Sequence, residues 1–348
     1  MKRVIAGLAF ISALLSGASA RAVDYHEAAL RTAREFALPR YEALAEATAA
    51  QARAWDDFCK VAAPRDLNTL DAAFGAAAGA WAQIEFVRYG PIGEGFRFER
   101  MAHWPERRNA ISRALSNLMS RPEADVLSPE RFRETSVAGQ GISALERILF
   151  EDGSRGDLRS GAGSAKRFCL VGEAIADALA ATSREVAEAW RSQTLPQLEN
   201  ADEARARQAV TRFTTDLLTG LQVIEELKLT APLGKSIDTA RPTLSELWRS
   251  GRATQTIQLN LQSAHALAAA LLGTPPGSDG QHTLSAIKAV ASIAERSPEN
   301  LGEAAADPRR RRQIILLRDA VASAREIVGA SLPPALEITT GFNSLDGD

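Results

Sequence analysis

Residues 137–150 read Val137-Ala138-Gly139-Gln140-Gly141-Ile142-Ser143-Ala144-Leu145-Glu146-Arg147-Ile148-Leu149-Phe150. On a helix, Ser143 and Glu146 stand three positions apart and share one face. Val137, Ile142, Leu145, Leu149 and Phe150 are apolar and hold that face near a core. A carboxylate at the edge of a core needs a partner, because burying it unpaired is expensive. Glu146 therefore belongs either to a structural ion pair or to a binding site.

Helical periodicity continues on both sides of this stretch, with no run of alternating, strand-like residues. Residues 24–62 read as one long helical region that Pro39 kinks or interrupts. Asp66 is placed to cap a helix carrying Leu67, Leu70, Phe74, Trp81 and Ile84, which Gly90-Pro91 ends. Trp104-Pro105 is expected to open a helix reaching Met119. Ser128-Pro129-Glu130 has the chemistry of a helix start and is expected to begin the helix that carries the motif. Glycine-rich residues 153–163 read as a loop. Helices are expected at 164–193, ending before Pro196, and at 202–229. Thr243-Leu244-Ser245-Glu246 reads as a capping box before Leu247 and Trp248. A helix at 253–272 follows, then a turn at Thr274-Pro275-Pro276-Gly277, a start signal at Ser297-Pro298-Glu299, and a last long helix from Asp307-Pro308.

The expected class is all-α, in two helical-bundle halves with a groove between them. The boundary falls near Ala231-Pro232-Leu233-Gly234, dividing residues 23–230, which carry the Gly-x-Ser-x-x-Glu motif, from residues 235–348. The closing Gly341–Asp348 segment has turn chemistry and is expected to pack as an irregular tail.

The first 22 residues read as an export signal. Lys2 and Arg3 precede a short apolar run from Val4 to Leu15, and small residues offer cleavage near Ala20 or Ala22. That run is shorter than the roughly 20 residues a membrane-spanning helix needs. The mature chain is therefore expected in the periplasm, with membrane contact at most peripheral. Oxidising surroundings bear on the two cysteines, Cys59 and Cys169. They are too few for a structural zinc site and read as one disulfide, the alternative being two separate buried thiols. A formal net charge of −2 gives no reason to expect a nucleic-acid partner.

Gly141-Ile142-Ser143-Ala144-Leu145-Glu146 resembles the Gly-x-His-x-x-Glu motif of imelysin-like proteins, with serine where that family has histidine. Other segments resemble the family in the same order along the chain: Trp81-Ala82-Gln83-Ile84-Glu85, Arg88-Tyr89-Gly90-Pro91, His103-Trp104-Pro105, Arg167-Phe168-Cys169, Leu247-Trp248-Arg249-Ser250-Gly251 and the closing Gly341–Asp348 segment. The resemblance implies the two-bundle fold, a groove between the halves, and a role linked to iron acquisition. It also carries the family's nominal peptidase activity.

The residues themselves weigh against a metallopeptidase. The His-Glu-x-x-His spacing is absent, and the four histidines are scattered. A neutral serine hydroxyl is a poorer ligand for iron or zinc than imidazole. Ser143 lacks the second glycine and the preceding strand of a nucleophile elbow. No catalytic or metal-binding residue is assigned, and iron is the one candidate cofactor. The leading expectation is a non-enzymatic, exported binding protein. Its groove would hold an unidentified small ligand near Ser143, Glu146, Glu85, Arg88, Arg100, Trp248 and Arg252. Glu85 and Arg88 are read as a pair on one helix face, and Trp248 with Arg252 as an aromatic–cation platform. Alternatives are a metallopeptidase and a helical module that docks an envelope protein.

Overall fold

Proline placement shapes the long helices. Tyr25–Arg31, a wide π turn at Thr32–Ala37 and Leu38–Lys60 form one continuous rod, and Pro39 sits two residues beyond the wide turn. The same arrangement recurs twice. Ala165–Ala189 passes through Trp190–Thr194 into Leu195–Glu199 with Pro196, and Glu203–Val223 passes through Ile224–Thr230 into Ala231–Leu233 with Pro232. Proline lacks an N–H and clashes with the carbonyl four residues back. A widened turn accommodates both defects without ending the helix.

The computed structural model describes residues 23–121 and 124–339, and they form helices, turns and loops without a strand. The proposed export signal and the Gly341–Asp348 tail lie outside the described residues. One bundle packs Leu38–Lys60 against Ala165–Ala189 and Asn68–Ala82, with Ile142–Phe150 inserted between the last two. The second packs Glu203–Val223, Ala253–Leu272, Gly277–Glu295 and Arg311–Ala335. A single apolar core runs through both. Among the described residues no helix is long and apolar enough to cross a membrane.

In the first bundle, Gly172 allows a close approach of two helices: a Cβ there would lie 2.3 Å from the ring of the buried Trp55. One turn away, Cys59 and Cys169 form the expected disulfide, across 110 residues of sequence.

Several element boundaries differ from the sequence expectation. Residues 152–160 are a helix, Asp152–Ser160, stopped by Gly161 in the left-handed region. Gly153 and Gly156 meet nothing at their Cβ positions, so they sit on its outer side and weaken it without breaking it. The helix starting at Pro129 ends at Arg133, and the motif occupies its own helix, Ile142–Phe150. Ala165–Ala189 does not end before Pro196, because its wide turn carries it to Glu199. The Asn68–Ala82 helix ends well before Gly90, and the next long one is Ala110–Ser120 rather than a helix from Pro105. The expected capping box does not start a helix. Pro242–Leu244 is a single 3-10 turn, and Leu247 is left-handed at φ 49°.

Candidate functional site

The motif helix is seated by Gly141, where a Cβ would lie 2.8 Å from the Met101 carbonyl oxygen. From that start Ile142, Leu145, Ile148 and Leu149 turn into the core. Ser143, Glu146 and Arg147 face a cavity of about 280 Å³ between the two bundles. Its opposite wall includes Ser245, Leu247, Trp248 and Arg249 from the turns before Ala253–Leu272, and Trp104 closes one side.

Glu146 is 3% exposed, and its Oε1 accepts the Ser250 backbone N–H at 2.9 Å and the Ser250 hydroxyl at 2.8 Å. Burial raises the Glu146 carboxyl above its ordinary value; the two Ser250 donors and Arg249 oppose that shift. The motif carboxylate is therefore the bolt between the bundles, as well as part of the cavity wall.

Behind the Trp104 side of the cavity lies a second polar cluster that the sequence reading did not assemble. Lys228, on the third wide turn, is 3% exposed. Its ammonium donates to Glu85, to Glu246 at 2.6 Å and to Asn260 at 2.8 Å, which uses all three of its N–H groups. Asn260 donates in turn to Glu85 at 2.9 Å and to the Ala82 carbonyl at 2.6 Å. Burial pushes Glu85 up to about 7, with the Glu246 charge adding to it and Lys228 opposing. For Lys228, burial works to lower the ammonium, but Glu246 and Glu85 outweigh it and hold it above its usual value. Two carboxylates share one cation here. The sequence signal was Leu227-Lys228-Leu229, a lysine set between two leucines in a stretch of core-facing positions.

The seven expected site residues divide. Ser143, Glu146 and Trp248 line the motif cavity, and Glu85 stands behind it in the lysine cluster. Glu85 and Arg88 do not pair: the helix stops at Ala82, so three-residue spacing no longer puts them on one face. The Arg88 guanidinium covers the Phe98 ring at 3.1 Å, and its backbone N–H, with that of Tyr89, caps Asp216. Arg88 lines a different, wider cavity of about 1010 Å³ with Gln197, Arg212 and Asp216. Arg100 donates to the Arg133 carbonyl at 3.0 Å and to Gln140 at 3.2 Å, and does not line the motif cavity. Arg252 reaches Gln255 at 3.0 Å and the Asp71 carbonyl at 3.2 Å. The guanidinium over Trp248 is that of Arg249, 4.3 Å from the ring centroid.

Among the described residues no group of three or more His, Cys, Asp or Glu is placed to hold a metal ion. The donors at the motif do not fit a transition metal. Ser143 is a neutral hydroxyl, Glu146 is engaged by Ser250, and Arg147 and Arg249 bring positive charge to the same cavity.

Residues 37–325 match the family model described as Imelysin, which is named as a peptidase family. The fold is similar to that of an imelysin-like protein from Psychrobacter arcticum 273-4, with a TM-score of 0.73 at 19% identity, covering 92% of this chain and 99% of that one. It is also similar to a putative iron-regulated protein A precursor from Parabacteroides distasonis ATCC 8503, with a TM-score of 0.71 at 17% identity over 92% and 97% of the two chains. No curated protein matches the chain.

Proposed function

The chain belongs to the imelysin family, and from that premise we propose that it is an exported, non-enzymatic binding protein of the periplasm. Its cleft between the bundles takes a compact polar ligand, and its cellular role lies in iron acquisition. The name of the Parabacteroides neighbour supports the iron connection as a process. The charged, apolar-run and small-residue order of residues 1–22 supports export.

One observation carries the ligand reading. Ser245 lines the cavity, the residue is 1% exposed, and its buried hydroxyl has no hydrogen-bond partner. A buried hydroxyl left unpaired costs about 1–3 kcal/mol, which a bound polar ligand would recover. The family's metal chemistry does not transfer to this cleft, because its donors suit hydrogen bonding better than coordination.

Native mass spectrometry of the protein isolated from the envelope of an exporting host, with metal analysis of the same sample, tests the reading. A small organic or inorganic adduct that disappears in Ser245→Trp, which fills the cleft, is the expected result. Stoichiometric iron or zinc lost on Glu146→Ala would overturn it in favour of a metal site. Recovery only in the cytoplasmic fraction would overturn the export part.

A further inference from the structure

We propose that the motif cleft recognises an oxyanion group, a carboxylate or a phosphate, on the Arg249 guanidinium and the hydroxyls of Ser143 and Ser245. This rests on the reading of the cleft as a ligand site and gives the ligand its sign of charge.

Each carboxylate in and around the cleft already holds a donor on one of its oxygens, while two hydroxyls hold no partner. Glu146 holds both Ser250 donors, and Glu246 holds Lys228. Glu106 accepts the Ile111 N–H at 2.9 Å, and Glu151, at the exposed rim, takes Arg147 at 2.7 Å. Glu85 is committed to Lys228 and Asn260. Against these, the Ser143 and Ser245 hydroxyls have no partner among the described residues. The Arg249 side chain is 16% exposed, and its nearest acid is Glu151, at 3.5 Å from Nε. A guanidinium carries five N–H donors in a planar fork that matches carboxylate and phosphate oxygens. Trp248 backs the Arg249 plane and fixes its direction.

A cation entering this cleft meets Arg147 and Arg249 and finds each lining carboxylate holding a donor on one of its oxygens. An oxyanion meets the unpaired donors. A volume of about 280 Å³ sits near the lower end of ligand sites, which suits a compact molecule whose carbon body lies against Trp104 and Trp248. The acids lining this space are Glu146 from the motif side and Glu106 from the 104–111 loop, with Glu151 beside Arg249 and Glu246 near Glu146.

Isothermal titration of the mature protein with succinate, with inorganic phosphate and with uncharged dimethyl succinate tests the proposal. Binding of succinate or phosphate, with the diester at least tenfold weaker, is expected, and which anion binds identifies the source. Arg249→Met should weaken binding tenfold or more, Arg249→Lys less, and Ser245→Ala about threefold. Glu146→Gln should bind as tightly as wild type or tighter. Circular dichroism and melting confirm that each variant is folded. If neither anion binds, if the diester binds equally well, or if folded Arg249→Met keeps full affinity, the proposal is overturned. A neutral adduct still found by native mass spectrometry would then leave the cleft reading standing, whereas no adduct at all would remove both.

Discussion

Glu146 and Ser250, separated by 104 residues of sequence, meet through two hydrogen bonds on one carboxylate oxygen. They join the motif helix to the turn that leads into Ala253–Leu272. Because the acid is almost fully buried, its removal leaves the Ser250 N–H with no acceptor. Glu146→Ala should therefore destabilise the fold by about 1–3 kcal/mol. Glu146→Gln keeps a carbonyl acceptor and should cost about half of that or less. Urea unfolding of both variants measures the difference; equal losses would show that the hydrogen bonds contribute little.

The lysine cluster makes a larger prediction. Lys228→Met leaves Glu85 and Glu246 in a dry site without their cation, and breaking a buried ion pair this way costs about 3–5 kcal/mol. The loss should shrink in mild acid, where Glu85 becomes neutral. Denaturant midpoints at two pH values check both statements.

Stability should also fall with rising pH across a range where many proteins are flat. Folded Glu85 titrates near 7 against an ordinary 4.5, and burial is the main cause. The folded state therefore binds this proton more tightly than the unfolded chain. Its contribution is complete below about 4.5 and lost as pH rises through about 7. Asp216 behaves alike, raised by burial from 3.8 to about 6, so its contribution is complete below about 3.8 and lost as pH rises through about 6. Raised Lys228 adds stability that is lost only above its ordinary 10.5. Urea midpoints measured between pH 5 and pH 8 should decline, and Glu85→Gln should flatten the upper part of that decline.

The disulfide should matter more than any single hydrogen bond. Opening Cys59–Cys169 frees a loop of 110 residues, worth about 4–5 kcal/mol in the chain-entropy model. Comparing the melting of oxidised and reduced protein, and of the double Cys→Ala variant, tests this.

Gly172→Ala offers a test of packing by sign. In an ordinary helix interior the change stabilises by about 0.5–1 kcal/mol. Here the new methyl would collide with Trp55, so a loss of about 1–3 kcal/mol or more is expected. A stabilised variant would contradict the close helix crossing.

Much of the fold could be read from residue order alone, and the site only in part. The all-α class, the disulfide and the pinned Glu146 follow from local rules of periodicity, redox compartment and desolvation. Which way an arginine points does not. Arg88, Arg100 and Arg252 have long side chains whose partners (Phe98, Gln140 and the Asp71 carbonyl) are set by tertiary packing. Arg249 stands beside Trp248 in sequence, but the expected platform pairs Trp248 with Arg252 across Ser250-Gly251; the turn after left-handed Leu247 puts Arg249 over the ring instead. Lys228 was missed because a lysine near two glutamates on a helix ordinarily reads as solvated. Asp152–Ser160 was missed because its glycines suggest a loop, although their outward side faces nothing that a helix would disturb.

The proline-linked wide turns have an effect on the whole architecture. Each surplus residue rotates everything downstream by about 100° relative to an undisturbed helix. A helical wheel drawn through such a rod consequently loses phase at the turn. Upstream of Pro39 the rod lays its apolar stripe on Glu203–Val223, and downstream it presents a different stripe to Ala165–Ala189. One unbroken rod can thus serve as a shared beam for both bundles, which holds the walls of the cleft at a set spacing without a hinge loop between them.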